Sequence, residues 1–149
     1  MTAQPIFTGV NVVVADMDTT LAFYRLLGLD VEAVPISWPP GTGGRHATAL
    51  SADGPRVEFD NTELARIWGH AGLAPGTPVI GFSFESRDQV DATYRELVTA
   101  GYTGRLDPYD AFFGARYAMV DDPDGHAVGL MSPIDTNQEF TPTTSDVTA

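Results

Sequence analysis

Phe7-Thr8-Gly9-Val10-Asn11-Val12-Val13-Val14 runs straight into Ala15-Asp16-Met17 and then into Leu21-Ala22-Phe23-Tyr24-Arg25-Leu26-Leu27-Gly28. The density of β-branched residues over 7–14 marks a buried strand. Asp16 offers an N-cap carboxylate, Leu21, Phe23, Tyr24 and Leu27 recur at helical spacing, and Gly28 stops the helix. A strand over 30–34 follows. Pro39-Pro40-Gly41-Thr42-Gly43-Gly44 excludes regular structure and reads as a flexible loop. Residues 46–51 and 55–60 then form a hairpin turned at Asp53-Gly54.

The order repeats further along. Residues 79–85 read as a strand, and Ser86 with Gln89 has capping-box spacing. Val90, Tyr94, Leu97 and Val98 make a helical stripe that ends at Ala100-Gly101. Strands over 117–120 and 127–131 flank the turn Asp122-Pro123-Asp124-Gly125. Gly9 matches Gly81 at an offset of 72, Tyr24 matches Tyr94 at 70, Gly28 matches Gly101 at 73, and Asp53 matches Asp124 at 71. A shared order at nearly constant offset marks an internal duplication. It predicts one domain over 1–149: module one over about 6–61, a linker at 62–77, module two over about 78–133, and a polar, disordered tail at 134–149.

Composition narrows the function classes. The 149-residue chain has 8 basic and 20 acidic residues, a net charge of −12, and no cysteine. Phosphate backbones would be repelled, so nucleic acid is not an expected partner. A negative field suits a cationic ligand or a solubilising surface. Disulfides, thiolate metal sites and a cysteine nucleophile are excluded. No apolar run reaches the ~20 residues that span a bilayer, which excludes a membrane helix. The start of the chain lacks a signal-peptide layout, so the cytoplasm is the expected location.

The stretch Val14-Ala15-Asp16-Met17 with Ala22-Phe23-Tyr24-Arg25-Leu26-Leu27-Gly28-Leu29, and Ala118-Met119-Val120-Asp121-Asp122-Pro123-Asp124-Gly125-His126, resemble the vicinal oxygen chelate superfamily. That superfamily holds glyoxalase I, extradiol dioxygenases and bleomycin-binding proteins. The resemblance covers roughly residues 6–133 and implies an α+β fold. Two βαβββ modules would each curve a mixed sheet around a cavity, with helices outside. Metal-using members place a ligand on the first and last strand of each module. Carried over, those places are Gly9, Glu58, Gly81 and Gly129. Glycine offers no side-chain ligand, so the resemblance implies a protein with no metal and no cofactor. Relatives close their open side with a second module or a second subunit, which together with the prevalence of two-fold dimers gives a homodimer as the expectation.

Alternation along the strands supports the same faces without the resemblance. Val57 and Phe59 face the helices, which turns Glu58 and Asp60 the other way. Val10, Val12, Phe82 and Phe84 form packed faces, leaving Gly9, Asn11, Gly81, Ser83 and Glu85 opposite. Glu58 is the polar residue that stands out, as a hydrogen-bond acceptor, a counter-ion or a general base. The alternative for it is a rim carboxylate paired with Arg56 or Arg116. His46 opens a strand beside the glycine-rich loop and is a candidate ligand contact. His70 and His126 fall in loop and turn contexts, and no two histidines have ligand spacing. Trp38, Trp68, Tyr109, Phe112 and Phe113 fall near turns, where aromatics build flat-walled ligand sites or plug gaps between modules. Asn11 and Ser83 complete the candidate set.

Three functions remain open on these residues. One is a binding protein that sequesters a small organic molecule, such as a natural product or antibiotic. Another is an enzyme using metal-free acid–base chemistry through Glu58, or lyase, isomerase or dioxygenase chemistry with relocated ligands. The third is an interaction module whose cavity is vestigial.

Overall fold

A computed structural model describes residues 4–27, 29–32, 34, 37–50, 54–69 and 73–142. The expected helix stop at Gly28, the turn residue Asp53, His70 and the end of the tail lie outside the described residues. The chain forms two compact units. The first is Gly9–Pro78, and the second combines residues 4–8 with Val79–Thr141.

In the first unit the strands are β1 (Ile6–Val14), β2 (Asp30–Val31), β3 (His46–Leu50) and β4 (Arg56–Asn61), with helices α1 (Met17–Leu26) and α2 (Thr62–Ile67). β1 enters this unit at Gly9. The strand order is β2-β3-β4-β1, with β1 parallel to β4 and the other pairs antiparallel. α1 starts where the sequence predicts, because Asp16 Oδ1 accepts from Thr19 N at 2.9 Å. Its Met17 and Leu21 pack on Ala47, Ala49 and Phe59, with Val12, Tyr24 and Val57 at the margin. The helix therefore covers one face of the sheet, as alternation requires.

The second unit holds β5 (Pro78–Ser83), α3 (Arg87–Thr99), β6 (Gly104–Asp110), β7 (Arg116–Asp121) and β8 (Ala127–Met131). The order is β5-β8-β7-β6, with β5 parallel to β8 and the rest antiparallel. Ser86 Oγ accepts from Gln89 N at 3.3 Å and opens α3. Gly101, at φ 102°, lets Tyr102 N reach Leu97 O and close it. Phe84, Val90, Ala118 and Leu130 form the core under this helix, joined by Phe82, Tyr94, Leu97 and Val128. The opening residues of β1 lie beside β5. Phe7 meets Phe82 edge to face at 5.9 Å, and Thr8 Oγ1 donates to Gly81 O at 3.2 Å.

Both units thus have the βαβββ order, and the fold is α+β with mixed, unclosed sheets. Four features differ from the sequence reading. α2 falls within the stretch expected to be linker, because Asn61 caps six residues too few for a visible periodicity. β6 is a strand that propensity hides, since it carries Pro108 and two breaks of register. The loop at 37–44 is irregular but internally tied. Ser37 Oγ accepts from Thr42 N and Gly43 N, and Trp38 N donates to Gly44 O at 2.6 Å. Residues 134–142 were expected to be disordered tail, yet a 3-10 turn (Thr136–Gln138) is capped by Asp135, and Phe140 N donates to Phe112 O. No helix among the described residues is long and apolar enough to cross a membrane.

Candidate functional site

The face of the first unit turned away from α1 carries its polar chemistry. Register places Asn11, Glu58 and Thr48 in one row across β1, β4 and β3. The next row is Val13, Asp60 and His46. Asp60 is fully buried. A carboxylate can be held there only if donors replace its water. Three side chains do so. His46 Nδ1 lies 2.6 Å from Oδ1, while Asn11 Nδ2 and Trp68 Nε1 donate to Oδ2 at 2.9 and 3.0 Å.

Each donor is positioned by local structure. Asn11 is set by the parallel pairing of β1 with β4, and His46 by the antiparallel pairing that puts it opposite Asp60. Trp68 is delivered by α2. Asn61 Oδ1 accepts from Leu64 N at 3.1 Å and starts that helix, and Trp68 N closes it on Leu64 O. The same Asn61 accepts from Arg45 N and donates to Gly43 O, which ties the glycine-rich loop to the site.

His46 is the exposed end of this network, with its side chain 27% accessible. Asp60 holds Nδ1, and Nε2 lies 3.2 Å from Thr48 Oγ1. The ring of Trp38 lies 5.6 Å away at a 49° tilt. Burial alone would lower the imidazole pKa. The hydrogen bond to Asp60 and the charges of Asp60 and Glu58 outweigh burial and the opposing Arg56, so His46 is held above the ordinary histidine value. Asn11 Oδ1 is buried with no hydrogen-bond partner among the described residues, as is Arg45 Nε.

Of the residues singled out from sequence, Asn11, Trp38, His46, Glu58 and Trp68 belong to this unit and this face. Glu58 lies 3.8 Å from Arg56 Nε, in the ion pair foreseen as its alternative. Arg116 is instead held by Asp91 and Asp110. Trp68 is 8% exposed and serves the network through its N–H. Ser83, Tyr109, Phe112 and Phe113 belong to the second unit. Ser83 Oγ donates to Thr8 Oγ1 at 3.5 Å. Tyr109 packs edge to face on Tyr117 at 6.3 Å, and burial pushes its hydroxyl pKa up. Phe112 and Phe113, 7% and 8% exposed, pack edge to face at 5.3 Å in the buried turn between β6 and β7. His126 is exposed and held by Asp122.

Asp60 and Thr48 were not singled out. Alternation already turned Asp60 toward this face, and the hairpin pairing would have placed it opposite His46. The signal was available, but a buried aspartate cannot be told from a rim aspartate without the third strand.

The four strand positions that the resemblance marked need one correction. Glu58 is opposite Asn11 in the parallel pair, and Gly9 is opposite Arg56. In the second unit Gly81 is opposite Gly129. Equal register therefore makes Asn11, not Gly9, the counterpart of Gly81, at an offset of 70 that equals the helix offset. Gly9 has a different cause: a Cβ there would collide with the Arg56 carbonyl oxygen. At Gly129 the space is taken by Tyr117, whose hydroxyl would lie 2.7 Å from an added Cβ. Among the described residues no three His, Asp or Glu side chains gather to hold a metal.

Comparison with known proteins agrees with this architecture. A protein of Mycobacterium bovis is 31% identical over 130 residues, covering 83% of this chain and 81% of its own. A Mycobacterium tuberculosis protein is equally similar, covering 83% of this chain and 72% of its own. Both are described only as uncharacterised. Among solved structures, methylmalonyl-CoA epimerase from Mycobacterium tuberculosis superposes with a TM-score of 0.57 at 17% identity, covering 92% of this chain and 95% of its own. The 2,2',3-trihydroxybiphenyl 1,2-dioxygenase of Sphingomonas wittichii gives 0.54 at 19%, covering 89% of this chain and 45% of its own. At those identities the likeness is one of fold. The model of one family matches residues 7–130, and the chain belongs to that family, the Glyoxalase/Bleomycin resistance protein/Dioxygenase superfamily.

Proposed function

We propose that the protein binds a small organic molecule on the β1–β3–β4 face of its first unit, without the metal that other superfamily members use. The observation that carries this reading is Asp60, a fully buried carboxylate held by His46, Asn11 and Trp68. Three polar side chains converge on one buried charge, and Asn11 Oδ1 still lacks a donor. A ligand N–H or O–H would supply it. Trp38 beside His46 offers the flat wall that small-molecule sites use.

The metal is set aside because the donor set does not fit it. Of Asn11, Glu58, Gly81 and Gly129, only Glu58 brings a ligand that a divalent ion holds strongly, and two positions bring no side chain. Sequestration of a natural product is one use of such a site.

The test is isothermal calorimetry with a panel of aromatic cations and neutral isosteres of the same rings, against the wild type and Glu58→Gln, with and without chelator. Binding that survives the chelator supports the reading. A cation that loses about 1–3 kcal/mol on Glu58→Gln makes Glu58 its counter-ion. Equal affinity for cation and isostere removes the charge argument, since Arg56 already neutralises Glu58 in part. Binding that depends on added zinc, nickel or manganese overturns the metal-free reading.

A further inference from the structure

We propose that the β1–β3–β4 face takes an organic cation in exchange for the proton on His46, so that the ligand is held at higher pH and released as pH falls. This deepens the reading of that face as a small-molecule site and rests on it.

The face is rich in carboxylates. The row of Asn11, Glu58 and Thr48 continues to Glu32, whose N–H donates to Thr48 O at 3.2 Å. Asp60 and His46 share the next row. On the far side of Glu58, Arg56 is opposite Gly9, and Asp30 is opposite Leu50. Glu32, Glu58, Asp60 and Asp30 are thus set against Arg56 and the imidazole. Carboxylates alone would gather counter-ions without making a site. Asn11 supplies the second observation. It is 7% exposed, its Nδ2 is given to Asp60, which fixes the amide, and its Oδ1 has no hydrogen-bond partner among the described residues. This acceptor belongs to the residue directly opposite Glu58. A ligand N–H that carries positive charge would satisfy the carbonyl and the carboxylate together.

The proton enters through His46. Asp60 Oδ1 holds Nδ1 at 2.6 Å in either charge state, so protonation changes the chemistry of Nε2, 3.2 Å from Thr48 Oγ1. The neutral ring accepts from the Thr48 hydroxyl. The imidazolium donates to it and turns the hydroxyl hydrogen away from His46. Thr48 is opposite Glu58. Protonation therefore adds a positive charge beside the Glu58 row and frees a hydroxyl donor within it, and both disfavour a cation. Conversely, a cation at Glu58 cancels a negative charge that helps to hold the proton on His46. The two effects are one coupling seen from either ligand. The charges acting on the imidazole are Asp60, Glu58 and Arg56 of β4. Asn11 of β1, Trp68 after α2 and Trp38 of the loop bring none. Glu32 lies across Thr48, and Arg45 is paired with Asp18 of α1.

The probe is 4-amino-1-methylquinolinium, a flat, permanently charged ring with N–H donors and no proton that titrates near neutrality. Its uncharged isostere is 1-aminonaphthalene. Calorimetry in buffers of different ionisation enthalpy counts the protons released, and NMR follows the His46 ring. A charge on the neighbouring strand, about 7–8 Å away, is worth about tenfold in affinity at a partly wet site. The cation is therefore expected to bind up to about tenfold more tightly at pH 9 than at pH 6, with release of about half a proton in between. It should also move the His46 titration to lower pH, and the isostere should do neither. Glu58→Gln should lower the His46 titration with no ligand present. His46→Gln should bind the cation alike at both pH values. Because that variant can unfold, the wild-type ring titration with and without the cation decides independently. A titration that the cation leaves unmoved, an affinity that rises as pH falls, or equal proton release by the isostere overturns the inference and leaves the binding site standing. Binding of the isostere without the cation does the same, whereas loss of binding across the whole panel ends both readings.

Discussion

At the scale of single residues, the Asp60 network makes stability and protonation one question. His46 is held above its ordinary pKa of 6.5 in the folded protein. A raised folded pKa adds stability that is fully present below the unfolded value and disappears as pH rises through the folded one. The advantage of the wild type over His46→Gln in urea unfolding is therefore expected to be largest near pH 6 and smallest near pH 9. A gap that widens with pH would contradict the network. Trp68→Phe keeps an aromatic ring but removes the pyrrole half of the indole and with it the N–H that donates to Asp60. It should cost about 1–3 kcal/mol, the penalty of a buried charge short of one donor. Thermal unfolding measures this, and a neutral result would mean that Asp60 draws on water instead.

At the scale of elements, Asn61 joins three pieces of backbone. Its side chain starts α2, holds Arg45 N and reaches Gly43 O. Asn61→Ala should destabilise by about 3 kcal/mol, roughly 1 for the cap and roughly 1 for each of the other two bonds. The loss should appear as faster hydrogen exchange at Leu64 and Arg45 before other amides. Uniform exchange would mean that the loop and α2 are held elsewhere. These elements also show how far sequence alone reaches. α1 and α3 were legible because Asp16 and Ser86 announce them and a long apolar stripe follows. α2 and β6 were not, because a six-residue helix gives no period and a strand with Pro108 violates its propensity. At the site, His46, Asn11, Glu58 and both tryptophans stood out by residue type. The charge that organises them did not, because burial of Asp60 is a property of neighbouring strands rather than of its own segment.

At the scale of the whole molecule, the assembly we propose is a homodimer, resting on the general preference of soluble chains for closed two-fold pairs. Sedimentation at micromolar concentration should give twice the monomer mass, and a clean monomer would refute it. The divided first strand bears on heredity and engineering alike. Residues 4–8 belong with Val79–Thr141, and β1 enters the other unit only at Gly9. The duplicated halves are consequently not interchangeable cassettes. A gene fragment beginning at residue 79 leaves behind the ring of Phe7 on Phe82 and the hydrogen bond from Thr8 to Gly81. Such a fragment would need its missing octapeptide supplied in trans, and shuffling halves between relatives would have to move the cut to the middle of a strand.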